Sequence, residues 1–184
     1  MNYLDIVMLA IGLSMDAFAV AVCKGTAIFG LKLRHCIITG VWFGAAQAIM
    51  PLLGYALGSE LGNYISKYGA AVSSAVLITI GIGTVRDAFG EEKAISDDLG
   101  IKEMLPLAVA TSVDAMAAGI TLSFYNMKLT YAVIIIGAIT FTASAIGVKA
   151  GNIFGTKFRQ KAEIAGGAVL IILGIKVLAE KFAL

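Results

Sequence analysis

The sequence predicts an all-α, polytopic membrane protein with six transmembrane helices arranged as two inverted repeats of three helices each. Three observations carry the prediction. Of the 184 residues, 59% are hydrophobic and 14% charged, whereas a soluble domain carries roughly 25% charged residues. Mean hydropathy is +0.92, so the solvent for most of this surface must be lipid. Long charge-free runs then recur along the chain, each near the roughly 20 apolar residues that a helix needs to cross the hydrocarbon. Finally, the two halves of the sequence repeat one another.

The expected spans are 3–23, 35–58, 68–89, 104–125, 129–151 and 163–182. The first and fourth each carry one aspartate near mid-span, Asp16 and Asp114. The sixth is the weakest, because Lys176 interrupts it before Glu180 and Lys181. Residues 1–90 form the first repeat, 91–103 a polar linker and 104–184 the second repeat. No basic stretch precedes the first apolar run, so it is expected as a retained helix and not a cleaved signal. A barrel would alternate polar and apolar residues, and these runs do not.

Lys and Arg counts set the orientation. Loops one, three and five share one side and hold ten basic residues, Lys24, Arg34, Arg86 and Lys102 among them, against four on the other side. Both termini are therefore expected outside a bacterial inner membrane, with linker 91–103 in the cytoplasm.

The repeat is visible residue by residue. Leu9 to Ala19 lies over Leu107 to Ala117 at an offset of 98, sharing the pattern Ser-x-Asp-Ala-x-Ala. Gly54, Gly58 and Gly62 lie over Gly147, Gly151 and Gly155 at an offset of 93. An odd number of helices per half inverts the second half in the bilayer, a design common in secondary transporters whose substrate sites lie near the midplane. Small residues at every fourth position let helix backbones touch, and the two glycine rows suit packing within the chain or pairing of two chains alike.

Asp16 and Asp114 are the most informative residues. A carboxylate at a helix centre costs about 2.5–3.5 kcal/mol on insertion scales, so it must face the bundle interior. Two carboxylates meeting there repel, and need a cation or a shared proton. Their oxygens suit a hard divalent ion. Further oxygens are expected from Gln47, Thr111, Thr140, Thr142 and Ser144, with Glu163 at the cytoplasmic edge of the sixth span. Pro51 is expected to kink the second span and free carbonyls near Gln47. Met15 and Met116 point about 100° and 200° away from their aspartates, as filler does. Cys23, Cys36 and His35 form no catalytic dyad or triad, and Lys24-Gly25 reads as the end of the first helix. No nucleotide-binding loop is present, no cofactor is expected, and a charge of +2 invites no nucleic acid.

The segments GLSMDAFAVAVCKG, FGAAQAIMPLLGYALG, ATSVDAMAAG and KAEIAGGAVLIILGI together resemble the bacterial manganese efflux pump (MntP) family, within the lysine-exporter-type transporters. The resemblance runs from Leu9 to Leu178. It implies export of Mn²⁺ as transported substrate, with Asp16 and Asp114 required and Gly25 and Glu163 inside family-like segments. Gln47 departs from members that carry Glu or His four residues before the proline. The expected mechanism is alternating access, with protons returning on the emptied carboxylates. The competing expectations are an exporter of another cation or small solute (Cd²⁺, Mg²⁺, an amino acid) and a membrane subunit that transports nothing itself.

Overall fold

The computed structural model describes residues 3–65, 98–123 and 129–154, with isolated helical positions between 75 and 86 and between 164 and 179. Five helices can be followed: α1 (Tyr3–Ala27), α2 (Leu33–Ile65), α3 (Ile101–Ala110), α4 (Val113–Ser123) and α5 (Leu129–Phe154). α1, α2 over Leu33–Ser59, and α5 are each long and apolar enough to cross a membrane, and α3 with α4 passes the same test as one span bent by 43°. The chain is thus an all-helical, multi-pass membrane protein. The expected spans 68–89 and 163–182, and linker residues 91–97, lie largely outside the described residues.

Two local expectations need correction. α1 does not stop at Lys24-Gly25 but continues to Ala27. Its end is held from outside, because the Asn152 amide donates to the carbonyls of Gly25 (3.1 Å) and Ile28 (2.7 Å), satisfying acceptors that a helix terminus leaves free. α2 is longer than expected at both ends, and its start is pinned by His35, whose Nδ1 accepts the Lys32 N–H at 3.2 Å. Pro51 lies within α2 without ending it.

A break falls in the fourth span, at Thr111-Ser112. There the Ser112 N–H closes a tight turn onto the Val109 carbonyl at 3.1 Å, while the Ser112 hydroxyl donates to the Ala108 carbonyl at 2.6 Å. The Ala115 N–H, which a continuous helix would give to the Thr111 carbonyl, is taken by Asp114 Oδ1 at 2.8 Å. Side chains that compete for backbone partners bend helices in this way.

Glycine contacts fix how the helices pack. Gly54 abuts the carbonyl of Met116 and Gly58 that of Ile120; Gly147 abuts the carbonyl of Phe18 and Gly151 that of Val22. Rising numbers on both members make α2 parallel to α4, and α1 parallel to α5. Gly40 meets Phe141 and Gly44 meets Gly137, so α2 and α5 run antiparallel. Any side chain at Gly54 or Gly151 would overlap the facing backbone, which is why these positions carry none. The packing around Gly62, and Gly155 itself, lie outside the described residues.

Two apolar clusters result. One joins Leu9, Leu13, Ala115, Leu122 and Ile136, and the other joins Ala17, Ala21, Phe43, Met104, Ala108 and Val148. On α1 the change of cluster falls between Leu13 and Ala17, on α3–α4 between Ala108 and Ala115, and on α5 between Ile136 and Val148.

Candidate functional site

Polar residues occupy the seam between those clusters. Ser14 and Asp16 lie there on α1, Thr111, Ser112 and Asp114 at the α3–α4 break, Gln47 one turn past Phe43 on α2, and Thr140 and Ser144 on α5. Gln47, Ser14, Ser112, Thr140 and Ser144 are wholly buried.

Gln47 is the hub. Its Nε2 donates to the Leu13 carbonyl at 3.0 Å and to the Thr111 carbonyl at 3.2 Å. Leu13 and Thr111 each stand three residues before an aspartate, Asp16 and Asp114, and occupy equivalent places at the offset of 98. One amide therefore ties the two aspartate-bearing elements together. Its orientation is forced, since the reverse rotamer would set Oε1 against two carbonyl oxygens. The Thr111 carbonyl is available because the helix break has removed its usual donor.

The two carboxylates are within Coulombic reach of each other. Asp16 is half-buried and also engages a partner. Asp114 Oδ1 accepts the Ala115 N–H, whereas its Oδ2 is sealed from solvent with no hydrogen-bond partner among the described residues. Four more buried side-chain oxygens share that condition among the described residues: Gln47 Oε1, Thr39 Oγ1, Thr140 Oγ1 and Ser144 Oγ. Leaving a buried polar atom unsatisfied costs roughly 1–3 kcal/mol. Five such atoms lie in the bundle, and all five are oxygens.

Of the oxygens expected from sequence, Gln47, Thr140 and Ser144 belong to this set. Thr111 turns its hydroxyl back to the Leu107 carbonyl at 3.0 Å and takes part through its own carbonyl. Thr142 is corrected out of the set: it lies on the exposed face of α5 and its hydroxyl donates to the Ala138 carbonyl at 2.9 Å. Thr142 is two residues from both Thr140 and Ser144, and so lies on the other side of the helix. Glu163 lies outside the described residues. No group of three His, Cys, Asp or Glu side chains converges among the described residues, and Cys23 and Cys36 are not joined by a disulfide.

Two buried charges were missed. Lys24, read as a loop residue, is wholly buried, and its Nζ donates to the Asp98 carbonyl at 2.5 Å. Asp98 in turn accepts the Gly100 N–H at 2.8 Å, directly before α3. Asp5, near the other end of α1, is 3% exposed. Lys24 ends an apolar run that begins at Asp16, which was the available signal. The adjoining glycine was read as a helix stop, which hid it.

Comparison with known proteins adds a family. A family model described as "Putative manganese efflux pump" matches residues 30–178. A relative from Acetivibrio thermocellus, whose description is the same with the name MntP, is 42% identical over 180 residues, covering 97% of this chain and 91% of its own. Relatives of that description from Desulfitobacterium hafniense and Mannheimia succiniciproducens are each 41% identical, over 98% of this chain and 96% and 97% of their own lengths. No solved structure matches.

Proposed function

This chain belongs to the manganese efflux pump family, and from that premise we propose that it is a secondary transporter exporting Mn²⁺ from the cytoplasm, with the ion held between Asp16 and Asp114. The observation that carries the reading is the seam of unpartnered buried oxygens, with Gln47 joining the two aspartate-bearing elements across it. Carboxylate, amide and hydroxyl oxygens are the ligands that Mn²⁺ prefers over softer donors. Two carboxylates neutralise one such ion, and Gln47 Oε1, Ser144 Oγ and Thr140 Oγ1 complete an oxygen shell without adding charge.

Two inverted three-helix repeats, 1–90 and 104–184, supply the moving parts. Support comes from the contacts. Gly54 on Met116 and Gly58 on Ile120 correspond, at offsets of 93 and 98, to Gly147 on Phe18 and Gly151 on Val22. The second helix of each half thus packs on the first helix of the other. The parallel run of α2 and α4 supports a return crossing between them, the expected third span 68–89. The expected sixth span, 163–182, lies largely outside the described residues. On this topology the termini lie outside the inner membrane, and α1 ends, with Lys24, at the cytoplasmic side.

In the cycle, Mn²⁺ reaches the seam from the cytoplasm, displaces protons from the carboxylates, and leaves outside as the halves rock. Protons then return, because an empty site would otherwise hold two repelling charges. Purified protein in liposomes tests this directly. Mn²⁺ efflux should accelerate when the opposite side is made acidic, and Asp16→Asn and Asp114→Asn should each abolish flux while reconstituting normally. Full flux in both variants removes the site, and a rate blind to the proton gradient removes the antiport.

A further inference from the structure

Thr39 lies on α2 outside the seam, eight residues before Gln47. It is wholly buried, and its Oγ1 has no hydrogen-bond partner among the described residues. Hydroxyls in apolar helices ordinarily bond to a carbonyl three or four residues back. Ser14 does so to Ile11 (2.8 Å), Thr26 to Cys23 (2.7 Å) and Ser123 to Ile120 (2.7 Å). Thr39 forgoes that bond, as Thr140 and Ser144 of the seam do, but in apolar surroundings between Cys36 and Phe43.

The place is specific. Thr39 lies on α2 between Cys36 and Phe43, both members of the apolar cluster that includes Ala17, Ala21, Ala108 and Val148. That cluster separates the oxygen seam from the end of the bundle where α1 finishes and α2 begins. The contact of Gly40 with Phe141 sets the register of α2 against α5. It leaves Ser144, a buried residue of α5, within about one helical turn of the depth of Thr39. Ala17, in the same cluster, is the neighbour of Asp16. Measured from Leu33, the hydroxyl lies about 9 Å into the helix, and Gln47 about 12 Å further.

We infer that the Thr39 hydroxyl is an inner station for the divalent cation, an oxygen that replaces a lost water as Mn²⁺ passes from the cytoplasm through the apolar cluster towards Ser144 and the aspartates. The inference rests on the transport reading above. An ion shedding its water needs substitute oxygens along an apolar path. A hydroxyl serves such a step better than a carboxylate, because it offers a lone pair without a charge deep enough to trap the ion.

Initial rates of Mn²⁺ transport in liposomes, measured against Mn²⁺ concentration on the cytoplasmic face, test it for wild type, Thr39→Val and Thr39→Ser. Val keeps the shape and removes the oxygen; Ser keeps the oxygen. Thr39→Val should raise KM on that face about three- to tenfold, the size of one lost ligand contact, with the saturating rate within about twofold of wild type. Thr39→Ser should restore the wild-type KM. If Thr39→Val does not fold, Thr39→Ala carries the same expectation. A KM equal to wild type in the variant lacking the hydroxyl overturns the station and leaves the transport reading standing. So does an equal loss of saturating rate in Val and Ser, which marks packing. A wild-type protein that moves no Mn²⁺ overturns both.

Discussion

The same short sequence element sits in two different backbones. Around Asp16, Ser-Met-Asp-Ala-Phe-Ala is part of an unbroken 25-residue helix whose interior is largely buried. Around Asp114, Ser-Val-Asp-Ala-Met-Ala opens a new 11-residue helix after a 43° bend, and α3 before it leaves Ile101, Leu105 and Val109 exposed. The first half therefore presents its carboxylate from a fixed post. The second presents it from a joint, where helix ends supply a free carbonyl and a re-aimed N–H. Discontinuous helices mark substrate sites in transporters because unwound backbone can contact the ion.

The largest expected effect probes what the halves share. Leu at Gly54 or at Gly151, where an added side chain would in each case overlap a facing backbone carbonyl, should destabilise the protein about equally, by about 1–3 kcal/mol or more as overpacking does, seen as a lower melting temperature in detergent. Leu at Gly83, where a methyl meets nothing within 4 Å, should leave it unchanged. A large loss at one packed glycine and none at the other would break the equivalence. A smaller effect sharpens the contrast at the seam. Gln47→Leu leaves the Leu13 and Thr111 carbonyls without their shared donor and removes one oxygen, so KM for Mn²⁺ should rise on the order of tenfold. Thr142→Val, on the exposed face of α5, should change KM by less than about twofold.

Much of this was legible in the sequence, for physical reasons. Mid-span aspartates are costly enough to announce themselves, and glycine rows betray backbone contact, so Asp16, Asp114, Gly54 and Gly147 could be singled out before any coordinates. The helix break was not legible. Pro51 was the obvious candidate because it lacks an N–H, yet α2 passes through it with its carbonyl and Cα against Gly119. The real break comes from competition for hydrogen bonds among Thr111, Ser112 and Asp114, which no propensity scale registers. Helix-face assignments needed the register as well. Thr142 looked equivalent to Thr140 and Ser144 by type alone, and Thr39 had no charged or repeated neighbour to draw attention to it. Lys24 was hidden by the assumption that a lysine beside a glycine ends a helix.

Bound Mn²⁺ has a distinctive electron paramagnetic resonance signal, and titrating the purified protein with Mn²⁺ counts the ions that each chain holds. Joint ligation by the two halves predicts one bound ion per chain in the wild type, and loss of that ion in Asp16→Asn and in Asp114→Asn alike. Retention of a tightly held ion in either single variant would contradict it.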